Sequence, residues 1–447
     1  MVASNDCHME LTEDEKAAIN FFLRLSTDAD TIPCDNDLTD FELTLPSWFD
    51  GAKYKRAQEY FANNRGPILN SNMAGLISLL AQQKGLEVLC STGRSSTANT
   101  ARKRYASTIL QTIIWYEYDL TPGSKSWKSL MRVRKLHLNA SKSAQSKKIG
   151  IINQTEMAIT QFGFMGFALI RPDIFGISHD NHEDIEAFVH FWAVLGYMLG
   201  IKDEFNLCLL PVNVVKKASE IIMRYFILAA VQLETPQFKA MTQALLDGLS
   251  HFMPFMTYEI QMFLTRRAAC VPGYQYNMSL DTEKHCRSVF STENIQHFLK
   301  DRARTTGYEF MEFTFLYKIP VYNFTTYEIQ NEVEGNAVKQ NTKVPEDTVV
   351  ENGKSRPMDD GFSARLRKYL GLTERTSITL TLVDYETEWE HALGDSRFYE
   401  LSAENKKTLV LVDRLRKFFV QTKIGAQVMD WLMSVILWRF RRYSSTS

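Results

Sequence analysis

Apolar residues recur at a helical spacing of three and four through most of the chain, which predicts a mainly α protein built around one large helical domain. Helices are expected from Ala52, Leu69, Thr97, Trp127, Asn153 and Asp180, then over residues 214–233 and 236–264. Ser126 reads as an N-cap after the Pro122-Gly123 break, and Asn153 with Glu156 and Asp180 with Glu183 have the spacing of capping boxes. Strand-like alternation falls mainly in residues 310–327 and 377–382, a small irregular or β segment. Residues 331–360 hold few large apolar groups and no period, so they read as a linker or loop. The pattern divides the chain into an acidic segment (1–45), a helical domain (46–330), that linker (331–360) and a C-terminal helical extension (361–447).

Charge and cysteine usage narrow the function classes. Lys plus Arg number 51 against 52 Asp plus Glu, with no sustained basic stripe, so a nucleic-acid partner is not expected. The six cysteines are scattered without a C-x-x-C pair, and the N-terminus lacks the layout of a secretory signal, which points to a cytoplasmic, reduced protein. The apolar run from Trp431 to Trp438, flanked by Lys423 and by Arg439, Arg441 and Arg442, falls short of the roughly 20 residues a membrane span requires. It reads either as a helix docking on the core or as a peripheral membrane contact. No nucleophile elbow, P-loop, dinucleotide fingerprint or H-E-x-x-H motif is present, which removes the commonest hydrolase, kinase and dehydrogenase readings.

Three places carry candidate chemistry. Between Ala187 and Ile201 the only ionisable groups are His190 and Tyr197, which predicts a central helix with a buried imidazole. Such a ring must either hydrogen-bond within the core or ligate a metal, and a haem iron suits an apolar helix of this kind. In the segment around Arg132, the stripe Leu130, Val133, His137 and Ala140 turns His137 inward. Arg132 and Lys135 adjoin on a neighbouring face, either as a solvated basic surface or as groups that meet a carboxylate or polarise bound oxygen. Glu117 and Asp119 sit beside aromatics near a helix end, either solvated or as a base. His179 and His182 lack companion ligands and are not taken as a metal site. Phe162, Phe164, Met165 and Phe167 form either core or pocket wall.

Four stretches together resemble the catalytic domain shared by rubber oxygenases (latex-clearing proteins) and ER-bound mpaB-type oxygenases. They are Trp48-Phe-Asp-x-x-Lys53 with Arg56-x-Gln-Glu-Tyr; Arg132-Val-Arg-Lys-Leu-His137; Ile152-Asn-Gln-Thr-Glu-Met157; and Val189 to Ile201 followed by Asp203-Glu204. The resemblance implies a globin-like helical fold around haem b, and cleavage of a carbon-carbon double bond of an isoprenoid-like apolar substrate with O2. It also implies His190 as the iron ligand, Arg132 and Lys135 with His137 on the distal side, Arg132 as a haem contact, and Glu117 as the base. Rubber-cleaving members carry Thr directly after the lysine where this chain has Leu136, and the mpaB-type branch, acting on smaller prenyl chains, looks closer. A non-catalytic haem- or lipid-binding protein of the same fold, or a helical scaffold without cofactor, stands as the alternative.

Overall fold

The computed structural model describes residues 12–271 apart from 40, 180 and 254–256, together with 274, 397–398, 400–409, 411 and 423–446. The expected linker and both β-like segments lie outside the described residues. Among the described residues the structure is helical and contains no strand beyond an isolated bridge between Pro33 and Asn153. The mainly α expectation therefore holds.

The first helix, α1 (Glu13–Thr27), has a complete capping box between Thr12 and Glu15 and buries Phe21, Phe22 and Leu25. The sequence pattern alone left this stretch as an acidic lead-in. The next helices are α2 (Gly51–Asn63), α3 (Arg65–Leu80), α4 (Gln83–Ser91), α5 (Ala98–Glu117) and α6 (Lys125–Ser146). They are followed by α7 (Gln154–Ile170), α8 (Pro172–Phe175) and α9 (His182–Met198). Next comes α10 (Val212–Ile222), which runs through a π-type stretch (Met223–Leu228) into α11 (Ala229–Leu233). Then α12 (Pro236–Ser250) and α13 (Tyr258–Ala268) occupy the span expected to be one helix. The last described helix, α14 (Lys423–Thr446), returns to pack on α3 and α5.

Two caps differ from the sequence expectation. Ser124, not Ser126, caps α6; Ser126 lies inside the helix and its hydroxyl donates to the carbonyls of Ile114 and Tyr118 at 2.9 and 2.8 Å. Asn181 caps α9 by accepting from the Glu183 amide at 2.9 Å. The Asn153–Glu156 box is present as expected.

α9 runs through the core, burying Phe188, Phe191, Trp192, Leu195 and Met198. Its Phe191 ring stacks on Tyr116 of α5 at 4.4 Å, and Tyr116 stacks in turn on Phe61 of α2 at 3.7 Å. The buried Tyr116 hydroxyl accepts from Trp192 Nε1 at 2.9 Å, so this aromatic column leaves no polar end unmet. α3 and α7 cross tightly enough that a Cβ on Gly75 would fall 1.7 Å from the Gly163 carbonyl oxygen, so only glycine permits that approach. Phe162, Met165 and Phe167 are fully buried and Phe164 stacks on Trp192 at 5.4 Å; all four pack in the core.

Candidate functional site

His190 lies at the rim of α9 under the segment that enters α2, rather than in its buried centre. Asp50 caps α2, its carboxylate accepting from the amides of Ala52 and Lys53 at 2.9 and 3.0 Å. The Asp50 backbone N–H is thereby free of the helix ladder and donates to His190 Nε2 at 3.1 Å. Trp48 stands edge-on to both His190 and Tyr197 at 5.9 Å, and its indole donates to Asp203 at 3.1 Å. Burial lowers the His190 pKa, with Asp50 pulling the other way, so the ring is neutral at pH 7 and carries its proton on Nδ1. The alternative of a hydrogen-bonded histidine is thus met: Nε2 already has a donor.

The basic segment of α6 does not converge. At about 100° per residue, Arg132 and Lys135 lie about 140° and 160° around the helix from His137. Both are exposed and neither has an ion pair among the described residues. The inward arginine is Arg134, on the buried Leu130–Arg134–Leu138 stripe. Its guanidinium grips Asp35 through two bonds of 2.9 and 2.7 Å, donates to the Met198 carbonyl at 3.3 Å and lies over the Phe41 ring at 4.2 Å. Both partners of this pair are only 10% exposed at the side chain. The clamp fastens the segment before α2 to α6 and to the end of α9. It borders an apolar groove of about 470 Å³ lined by Phe41, Leu43, Leu45, Pro122, Trp127 and Met131.

His137 is half-buried at the edge of the buried Leu130–Arg134–Leu138 face, near Arg104 of α5. Its Nδ1 is enclosed and has no hydrogen-bond partner. Burial first, and then the positive charge of Arg104, push its pKa down to about 4, so the ring is neutral. Arg104, on α5, donates to Thr92 Oγ1 at 3.2 Å and has no carboxylate partner among the described residues. Burial lowers its pKa as well. Beside it, the enclosed hydroxyls of Tyr105 and Ser95 face each other; burial raises the Tyr105 pKa and the Ser95 hydroxyl offsets part of that rise. The imidazole of His137 and the guanidinium of Arg104 therefore lie near each other, with the Tyr105 and Ser95 hydroxyls beside Arg104.

Glu117 ends α5 and accepts from Arg441 of α14 at 2.6 Å. It borders a polar cavity of about 230 Å³ with Lys55, Glu59, Arg65 and Tyr116. Thirteen residues separate it from Arg104 along α5, about 20 Å at helical rise, so it does not share the His137 cluster. Sequence reasoning missed Arg104, Tyr105 and Ser95, and it missed Arg134. The Leu130–Arg134–Leu138 spacing carried a signal for the last; nothing local distinguished Arg104 within Arg102-Lys103-Arg104. Among the described residues no three His, Cys, Asp or Glu side chains gather to hold a metal ion.

No family model and no curated protein sequence matches the chain. Among solved structures it is similar to latex clearing protein LCP in the closed state, at 15% identity over 75% of this chain and 94% of that one, with a TM-score of 0.41.

Proposed function

We propose that the chain is a haem-dependent oxygenase that cleaves a carbon-carbon double bond in an isoprenoid-like apolar substrate with O2, and that His137 rather than His190 offers its imidazole to the iron. The observation that carries this reading is the enclosed, partnerless Nδ1 of His137 set against an Arg104 with no acid. The four-stretch sequence resemblance supplies the reaction class.

The donor set suits a haem. A pKa of about 4 keeps His137 neutral, the form in which imidazole binds iron, without a proton to displace at pH 7. Arg104, short of a counter-charge, suits a propionate or a polarised oxygen, and the Tyr105 and Ser95 hydroxyls supply further donors beside it. His190 fits less well, because its Nε2 lone pair is taken by the Asp50 amide and ligation through it would strand that N–H. Haem, when bound, supplies the site for O2 activation; the chain's part is to orient it, exclude water and stabilise charge through Arg104. Arg132 and Lys135 remain at the solvent face, where they can meet carboxylates arriving from outside. Glu117, held by Arg441, is assigned no proton transfer at this site.

The test is aerobic incubation of the purified protein with a polyprenyl substrate, followed by mass spectrometry for carbonyl-ended fragments. The reading requires fragments that incorporate 18O from labelled O2 and that vanish under nitrogen. A protein that holds haem without forming such fragments would keep the binding half of the proposal and remove the oxygenase half.

A further inference from the structure

The last described helix has two faces of opposite character. Leu437 and Phe440 of α14 are 3% and 1% exposed, and Phe440 stacks on Phe252 at 4.0 Å with Tyr443 edge-on to the same ring at 5.6 Å. That face docks the helix on the core. On the other face, Trp431, Val435 and Trp438 are 64%, 38% and 57% exposed, at positions i, i+4 and i+7 of one stripe. Arginines border the stripe. Arg442 lies 5.5 Å over the Trp438 ring, Arg439 donates to the His251 carbonyl at 2.9 Å, and Arg441 holds Glu117 at 2.6 Å. These bonds fix which way the helix faces. Between Trp431 and Tyr443 the sequence holds three arginines and no acid.

We propose that this outward face of α14 docks on an anionic membrane surface. Indole rings are favoured at the depth of lipid headgroups, and arginines beside them attract anionic lipid. No helix among the described residues is long and apolar enough to cross a membrane, so α14 lies in the plane of the interface. A second copy of the chain is a poorer occupant. Pairing this face with itself in parallel about a two-fold axis would bring arginines against arginines. Lipid phosphates set negative charge against the arginines that border the stripe, and the acyl boundary covers both indoles. An apolar substrate partitions into the same layer, which gives the docked protein access to it; the docking itself does not depend on the oxygenase reading.

The experiment is co-sedimentation of the full chain with phosphatidylcholine vesicles, with and without 30 mol% phosphatidylglycerol. The variants are Trp431→Ala with Trp438→Ala, and Arg439→Gln with Arg442→Gln. Binding is expected with the mixed vesicles, with a blue shift of tryptophan emission, and should weaken as salt rises. At about 5-fold per arginine near the surface, the arginine pair should lower partitioning about 25-fold. Removing the two indoles should lower it about 10-fold or more. Circular dichroism checks folding, and the single substitution Trp431→Ser, at the most exposed position, replaces the pair if the double variant unfolds. The proposal is overturned by failure to sediment with the mixed vesicles or by binding that ignores the tryptophans. Concentration-dependent dimerisation, lost with the tryptophans and independent of lipid, would overturn it as well.

Discussion

His137→Leu separates a nitrogen waiting for a ligand from a histidine that serves packing. In haem-free protein the enclosed Nδ1 has no partner, a cost of about 1 to 3 kcal/mol that leucine removes. Exchanging the ring for an apolar side chain of similar volume costs less than about 1.5 kcal/mol in packing. At pH 7.5 the leucine variant should therefore be as stable as the parent or up to about 2 kcal/mol more stable. The pH dependence is sharper. The His137 pKa falls from 6.5 to about 4 in the fold, so the unfolded chain binds the extra proton between those values. Stability from the neutral ring is fully present above pH 6.5 and is lost as pH falls toward 4, by about 2 kcal/mol at pH 5 and about 3 kcal/mol at pH 4. Leucine has nothing to titrate. Thermal melts of both proteins at pH 7.5 and 5 should show the difference in melting temperature shifting by about 2 °C in favour of the variant. Parallel pH profiles, or a loss beyond about 3 kcal/mol at pH 7.5, would refute the reasoning, because either means that Nδ1 is already paired.

Three further outcomes follow from particular contacts. His190→Ala should cost about 1 to 2 kcal/mol by stranding the Asp50 amide and loosening Trp48, read by chemical denaturation, while leaving the His137 cluster untouched. Arg134→Met leaves Asp35 buried and unpaired and should cost about 3 to 5 kcal/mol; a loss under 1 kcal/mol would mean the clamp is solvated. Glu156 has its pKa raised to about 7, chiefly by burial, so its contribution is fully present below pH 4.5 and lost as pH rises through 7. Glu156→Gln, which can keep the cap, should be up to about 3 kcal/mol more stable than the parent at pH 8, with the gap closing by pH 4.5.

Helix class and the run of α9 were legible because apolar periodicity is a local property. The setting of His137 was legible only in part, since Leu130 of its stripe is buried while Val133, His137 and Ala140 are half-buried and the buried face runs through Arg134. Its partners were not: Arg104 and Tyr105 come from α5, and only the crossing of two helices tells which of three consecutive basic residues faces a buried ring. The half-buried setting of His190, where full burial was expected, has a different origin. An apolar stretch predicts burial, but it cannot show that the N-terminus of α2 arrives with a spare amide to satisfy the imidazole. Some helix starts slipped by one or two residues because serines and asparagines cluster there, as with Ser124 and Ser126, whereas α3 starts four residues before the expected Leu69. α12 and α13 were merged by reading through Pro254, the stop signal in that sequence. The Thr12–Glu15 capping box was equally available for α1, hidden by the acidity of its first turn.

The most direct test of the central claim is the absorption spectrum of the protein, His137→Ala and His190→Ala, each loaded with haem under the same conditions and normalised to protein. The account predicts a Soret band in the parent and in His190→Ala, and its loss or marked weakening in His137→Ala. Full loading with an unchanged spectrum in His137→Ala would contradict it, and loss in His190→Ala alone would return the iron to α9.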